Sequence, residues 1–413
     1  MPELKLLFLE MAVILLAVRL VSGAFRLVRQ PGVVGEMAAG LLLGPSVLGH
    51  FAPAAMNALF PASGLGPLNA LSQLGLVLFM FLVGLEVQPN LIRGSAKSVI
   101  LASQASMAAP FVCGGFLAWT LYPRLGNGAA RLPFVLFMGA AMGITAFPVL
   151  ARILTDRKLT HTRAGTFAIS CAAVDDVSAW CILAVITVIA RPDATQIALP
   201  LRFAALLLYI LAMVVLIRPA LRRFLPAAEP PGLGRFAAVM IFLLASVWTT
   251  EALAVHALFG AFLAGVVMPK GGKLQQGLHE RLESVTLVLL LPLFFAYTGL
   301  RTSVGLLNSG ELWLLCGAIV LVAVASKLLV SAACVRAGGM SWRDSLAVGT
   351  LVNTRGLVEL VILNVGLDLH ILSPTLFSMM VIMALVTTLM TAPLIDRILP
   401  PSPKPELVAL QRP

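Results

Sequence analysis

Apolar stretches of about 20 residues recur along the chain from Leu6 to Leu399, each long enough to cross ~30 Å of hydrocarbon as a helix. A chain that repeats this pattern folds in a lipid bilayer. With 60% hydrophobic and 11% charged residues, against an ordinary ~45–50% and ~25%, no water-soluble core could hide the excess. The same pattern excludes a single-anchor enzyme, a secreted disulfide scaffold and a β-barrel of ~10-residue alternating strands. Cys113, Cys171, Cys181, Cys316 and Cys334 all sit in apolar segments without metal or redox spacing; they are packing residues, and no cofactor is expected. The net charge of +11 comes without basic runs or interleaved aromatics, so nucleic acid is not an expected partner. Lys5 precedes an apolar run that no small-residue cleavage site closes, and the first helix is expected to be retained.

Breaking the run at Pro, Gly and charge clusters gives thirteen candidate helices: 6–28, 31–49, 68–87, 97–121, 132–155, 163–190, 198–217, 234–253, 255–268, 281–300, 311–335, 341–366 and 374–399. The expected fold is all-α integral membrane with about 13 transmembrane helices. An odd number puts the two ends on opposite sides, and one side should hold most Lys and Arg. Twenty of the 29 fall on alternate loops plus the C-terminus, among them Arg93, Lys97, Arg152, Arg157, Lys158, Arg163, Arg222, Arg223, Lys404 and Arg412. Lys5, Arg124, Arg131, Arg191, Arg202 and Arg301 fall on the other face. The C-terminus, with a short tail at 401–413, is therefore expected in the cytoplasm and the N-terminus outside, in a multi-pass protein of the inner or plasma membrane.

The two halves echo each other. Gly35-Glu-Met-Ala-Ala-Gly40 recurs as Gly260-Ala-Phe-Leu-Ala-Gly265, and one helix later Phe79-Met-Phe-Leu-Val-Gly84-Leu-Glu86 recurs as Phe294-Phe-Ala-Tyr-Thr-Gly299-Leu-Arg301. Within a single transmembrane domain (1–400), this suggests repeat 1 at about 6–190, a linker helix at 198–217 and repeat 2 at about 234–399. Counterparts seven helices apart run in opposite directions. Inverted repeats are the architecture of secondary transporters rather than enzymes, with binding at the midplane where helices are broken. The alternative is chance recurrence of small-residue motifs.

Charges inside membrane helices are costly and mark functional positions. Asp175 and Asp176 lie about 13 residues, roughly 20 Å, into the sixth helix; Thr145, Arg355 and Lys327 lie near the same level in the fifth, twelfth and eleventh. Pro148 cannot donate to the carbonyl of Ile144, so the fifth helix is expected to kink or break, freeing carbonyls that can ligate a hard cation. Asn353-Thr-Arg355-Gly356 stands at the corresponding place in the twelfth helix, without a proline. If both helices unwind and cross, Arg355 and Glu359 would offset the exposed helix ends; alternatively, four residues apart, they simply pair with each other. Two adjacent buried carboxylates cannot both be ionised without partners, so such a pair tends to hold a proton or a cation. Lys327, the intramembrane lysine, is the natural counter-ion for one of them, and the alternative is that the three charges only fix helix packing.

At these residues the sequence resembles the second family of monovalent cation:proton antiporters, which includes Kef-type and sodium/proton antiporters and the plant cation/proton exchangers. The motifs are Gln30-Pro31 through Gly44-Pro-Ser-Val-Leu-Gly49, Leu78 to Glu86, Thr145-Ala-Phe-Pro148, Ala173-Val-Asp175-Asp176, Lys327 and Asn353-Thr-Arg355-Gly-Leu-Val-Glu359. The resemblance implies an NhaA-like inverted repeat with crossed discontinuous fifth and twelfth helices. It also implies a dimerisation part (6–87 and 234–300), a mobile core (97–190 and 311–399) and a homodimer. By the same likeness Asp176 is the shared proton and cation site, with Na⁺ or K⁺ and H⁺ as substrates, and Asp175 pairs with Lys327; antiport would then be electrogenic. A Kef-type potassium efflux system, which usually carries Gln-Asp and a nucleotide-binding domain, and a solute symporter of the same fold are the alternatives. Here the chain stops soon after Arg397, which argues against ligand gating within it. Elsewhere, Glu36 suits the N-terminus of the second helix, Glu86 is expected to be solvated, His50 and His256 lie near the outer face, and Arg19 and Glu10 have no assigned role.

Overall fold

The computed structural model describes residues 2–61, 64–86, 96–126, 128–160, 162–190 and 199–399. Arg93, Arg191 and the tail 401–413, with Lys404 and Arg412, lie outside the described residues, which contain helices and turns and no strand. The first half contains α1 (Pro2–Leu27), α2 (Gly32–Leu43), α3 (Leu48–Phe51), α4 (Pro53–Leu59), α5 (Leu65–Glu86), α6 (Ala96–Leu125), α7 (Arg131–Gly143), α8 (Phe147–Asp156) and α9 (Arg163–Ala190). After α10 (Leu199–Ala212) and a π-helical turn comes α11 (Arg218–Phe224). The second half contains α12 (Leu233–Ala252), α13 (Ala257–Val267), α14 (Lys273–Val285), α15 (Leu291–Leu300), α16 (Gly310–Ala337), α17 (Trp342–Val352), α18 (Leu357–Asp368) and α19 (Pro374–Ile398). Ten stretches of described residues are long and apolar enough to cross a membrane, eleven with the bent pair α17 and α18. The protein is an all-helical, multi-pass membrane protein.

The helix boundaries follow local chemistry. Ser309, Ser341 and Ser373 each cap a helix, accepting from the N–H three residues on, which satisfies a donor the helix cannot. Pro53, Pro148, Pro292 and Pro374 all sit in first turns, where the missing N–H costs nothing. Several expected spans differ from the structure. The stretch 31–49 stops being helical at Gly44-Pro45 and resumes at Leu48. The stretch 198–217 continues through a π turn to Phe224, and the helix expected from 281 starts at Lys273, because polar Lys273–Glu283 extends the same helical path beyond its apolar part. The expected fifth and twelfth helices are each split.

Glycines bring two pairs of helices into backbone contact. A Cβ on Gly40 of α2 would lie 2.1 Å from the Phe295 carbonyl oxygen of α15, and one on Gly299 would lie 2.0 Å from the Gly40 carbonyl. In the same manner a Cβ on Gly265 of α13 would lie 2.2 Å from the Phe81 carbonyl of α5, and one on Gly84 would lie 2.2 Å from that of Phe262. These are the glycines of the two echoed motifs, and each packs on the counterpart of the other's partner. Trp180 of α9, stacked on Phe262 of α13 at 6.3 Å, joins α9 to this framework.

Beyond α13, Lys270 closes the framework at one end. Its Nζ donates to the carbonyls of Gly84 (2.6 Å), Gly265 (2.8 Å) and Leu85 (3.0 Å), capping α5 and α13 together. Burial, reinforced by Arg218 and opposed by Glu86, lowers this lysine from 10.5 to about 7. The unfolded chain then binds the extra proton between pH 7 and 10.5, so this group makes the fold more stable as pH rises through that window. Thermal midpoints measured from pH 7 to 10 should therefore rise more for the native protein than for Lys270→Gln; parallel curves would disprove the assignment.

Candidate functional site

The site forms where two helices stop in mid-path. The backbone leaves α7 after Gly143, runs extended through Ile144 and Ala146, and re-enters a helix at Phe147. Opposite it, the chain leaves α17 at Val352 and re-enters α18 at Leu357. The Ala146 N–H donates to the Thr354 carbonyl at 3.0 Å, tying the two interruptions together. Pro148 was expected at the break itself; it lies in the first turn of α8 instead, because its fixed φ suits a helix start. The second interruption has no proline and is made by Gly356, whose φ is 152°. A Cβ there would stand 2.8 Å from Val149 Cγ2 of α8. Gly356→Ala should therefore cost about 1–3 kcal/mol of strain and separate the paired breaks, visible as a lower thermal midpoint together with impaired transport; an unchanged midpoint would show that the break does not need glycine.

Interrupted helices expose carbonyls, which in a membrane interior must find donors. Lys327 Nζ of α16 donates to the Gly143 carbonyl, and Arg355 donates to those of Ala141 (2.7 Å) and Met142. Arg355 Nη1 also lies 3.1 Å from Glu359 Oε2. Arg355 thus contacts both Glu359 and the last carbonyls of α7. Carbonyls freed at this break were expected to be able to ligate a cation; those of Ala141, Met142 and Gly143 accept from cationic side chains.

The two aspartates of α9 have opposite surroundings, as side chains about 100° apart on a helix should. Asp175 is fully buried and richly partnered: its Oδ1 accepts from Ser103 Oγ at 2.5 Å, and its Oδ2 lies 2.6 Å from Thr145 Oγ1 and 3.3 Å from Lys327 Nζ. Thr145 Oγ1 is also 2.9 Å from the Val352 carbonyl. Asp176, 1% exposed, has neither carboxylate oxygen in a hydrogen bond among the described residues; the Phe147 N–H at the head of α8 bears on it without ordinary hydrogen-bond geometry. Asn353, also buried, leaves its Oδ1 unpartnered. Ser103 of α6 was not anticipated from the sequence.

A cavity of about 560 Å³ lies beside the breaks. It is lined by residues of α1, α2, α5 and α14 and by Pro148, Val149 and Leu357 in the first turns of α8 and α18, though by none of Asp175, Asp176, Thr145 and Lys327. Glu36, Glu86 and Arg19 line it. Glu86, expected to be solvated, is half-buried there, with its Oε1 3.3 Å from His279 Nε2, because α14 folds back over the end of α5. His256 caps α13, its Nδ1 accepting from the Leu258 N–H at 3.3 Å.

An all-helical membrane protein with paired helix breaks around buried carboxylates and a lysine belongs to the class of ion-coupled carriers. The chain is a member of the sodium/hydrogen exchanger family, whose transmembrane model matches residues 12–399. The Na⁺/H⁺ antiporter NhaS4 of Synechocystis sp. is 42% identical over 404 residues, 96% of this chain and 98% of that protein. Cation/H⁺ antiporter 17 of Arabidopsis thaliana is 37% identical (95% of this chain, 48% of the relative). K⁺/H⁺ antiporter 1 of Saccharomyces cerevisiae is 33% identical (97% and 47%). The chain thus spans nearly all of the cyanobacterial relative and about half the length of the plant and yeast ones. The fold is similar to that of the sodium proton antiporter MjNhaP1 from Methanocaldococcus jannaschii, with a TM-score of 0.63 at 12% identity over 95% of this chain and 96% of that one.

Proposed function

We propose that this cation/proton antiporter exchanges Na⁺ or K⁺ for protons at Asp176 by alternating access. One observation carries the reading: of two adjacent buried carboxylates, Asp175 is held by a serine, a threonine and a lysine, while Asp176 has no side-chain partner among the described residues and only the Phe147 N–H bears on it. A buried carboxylate without side-chain donors gains from a proton or a cation, and both cannot be held at once. The relatives named as Na⁺/H⁺, K⁺/H⁺ and cation/H⁺ antiporters agree with it.

In this reading the chain makes thirteen crossings, counting α1, the short α13 and each broken pair as one. It is an NhaA-like inverted repeat, with α7–α8 and α17–α18 as the crossed discontinuous helices. The reciprocal glycine contacts Gly40–Gly299 and Gly265–Gly84 support the repeat, since an approximate two-fold axis would exchange one for the other. Residues 6–87 and 234–300 form the dimerisation part of a homodimer, 97–190 and 311–399 the moving core, and the C-terminal side faces the cytoplasm. The cavity between the two parts is then the cytoplasmic approach.

Thr145 has one hydroxyl proton between two acceptors, Asp175 and the Val352 carbonyl. It donates to Asp175 when that group is ionised, and it accepts from Asp175 and donates to Val352 when the carboxyl is protonated. Asp175 can thus change protonation state, or release Lys327, without stranding a hydrogen bond.

Purified protein in proteoliposomes, with an internal pH dye, tests the function. Adding Na⁺ or K⁺ outside should move protons in the opposite direction, and the two apparent affinities would identify the preferred ion. No pH change with either alkali cation would overturn the assignment.

A further inference from the structure

Away from the aspartates, a second cavity of about 770 Å³ lies between the α1–α2 turn and the end of α8. Arg157, in its wall, is neutralised by Asp396, with nitrogen–oxygen distances of 2.7 and 3.2 Å. That leaves Arg26, Arg29, Arg152 and Lys158 against Asp156 alone among the charged groups lining it. Arg29 and Lys158 follow helix ends, with φ of 57° and 56°, and a cation there complements the carbonyl end of its own helix. Arg26, in the last turn of α1, complements its helix in the same way, but no helix end accounts for Arg152 meeting it. Their guanidiniums converge on Gly32, the first residue of α2: a Cβ there would be 3.2 Å from Arg152 Nη2 and 3.4 Å from Arg26 Nε. This is the positive end of a helix that has no side-chain cap, so two like charges are packed against a third.

Neither arginine forms an ion pair among the described residues. Glu36, one turn into α2, acts on Arg26, Arg152 and Arg19 at once. An independent feature says what kind of anion completes the set. Between Arg26 and Arg29, Leu27 and Val28 are 86% and 67% exposed, and Leu16 and Leu20 below them on α1 are 62% and 65% exposed. A cationic cavity whose arginines alternate in sequence with exposed apolar residues at the end of a membrane helix matches a phosphate joined to acyl chains, the chemistry of an anionic phospholipid.

We propose that this cavity binds the headgroup phosphate of an anionic phospholipid, with Arg26 and Arg152 as its principal ligands, Arg29 and Lys158 at its rim and the acyl chains along Leu20 and Leu27 of α1. Binding relieves the repulsion at the start of α2 and ties the α1–α2 turn to α8. Two guanidiniums at the membrane surface should change apparent affinity by about tenfold or more.

The full-length protein in detergent, titrated with phosphatidylglycerol, phosphatidylcholine or inorganic phosphate while its thermal midpoint is followed, provides the test. Phosphatidylglycerol should raise the midpoint of the native protein well above the level reached with phosphatidylcholine, and Arg26→Gln/Arg152→Gln should need at least about tenfold more of it. Should that variant fail to fold, Arg29→Gln/Lys158→Gln, on the exposed turns, should show a smaller loss in the same direction. Equal gains from the two lipids, or an undiminished gain in whichever variants fold, would overturn the site. A gain reproduced in full by inorganic phosphate would overturn the lipid and leave only a free anion.

Discussion

Replacing Asp176 with asparagine is expected to reduce cation-driven proton movement to the level of empty liposomes, although the side chain keeps its shape and the thermal midpoint stays equal or rises. The amide can neither take up the transported proton nor supply the charge that draws a cation into a water-poor site. Asp176 has no side-chain hydrogen bond to lose among the described residues, and an asparagine amide oxygen can still face the Phe147 N–H, so loss of transport could not be blamed on a broken side-chain network. The native protein should show the matching pH dependence: apparent cation affinity falls as pH drops, by up to about tenfold per unit, because each proton bound at Asp176 displaces a cation. Near-normal antiport by Asp176→Asn would refute the site.

The second large effect concerns charge movement. Lys327 is paired with Asp175 at 3.3 Å, both fully buried. A cation that draws Asp175 into its coordination leaves a buried ammonium without its counter-ion, and shedding the proton removes that cost. Two protons then exchange for one cation, and each cycle moves one net charge, worth about 2.3 kcal/mol per 100 mV. An imposed inside-negative potential should accelerate cation export from proteoliposomes, whereas Lys327→Gln, if it still transports, should lose that dependence. A native rate indifferent to potential would mean that Lys327 keeps its proton and exchange is one for one.

How much of this was legible in the sequence depended on how local the cause is. Apolar runs define spans because length in a bilayer is a one-dimensional requirement, and adjacent carboxylates in an apolar helix announce themselves. The partnership of Lys327 with an aspartate followed from scarcity, since few charges lie at that depth. Ser103 gave no such signal: serines recur in apolar helices, and only the packing of α6 on α9 brings this one to Asp175. The carbonyls at Ala141, Met142 and Gly143 are set by a break whose partner is some 200 residues away, so their occupation by Arg355 and Lys327 could not be read from the proline nearby. Gly356 shows the same limit, because a glycine in a membrane helix is ordinarily a packing residue and its φ of 152° belongs to a break that no proline announces. Glu86 was misjudged for a related reason: its solvation depends on α14, whose return over α5 is a tertiary event.

The long reach of these contacts has a consequence for synthesis. Asp175 and Lys327 are 152 residues apart, so a ribosome adding roughly 5–20 residues per second makes Asp175 about 8–30 s before the lysine exists. Throughout that interval Asp175 can reach only the hydroxyls of Ser103 and Thr145, and the carbonyls at the end of α7 lack the cationic donors Lys327 and Arg355. Until α16 arrives the Asp175 carboxyl can stay neutral by keeping a proton, so the ion pair with Lys327, and with it the finished core, forms only after α16 is made, later than insertion of the helix that carries the aspartates.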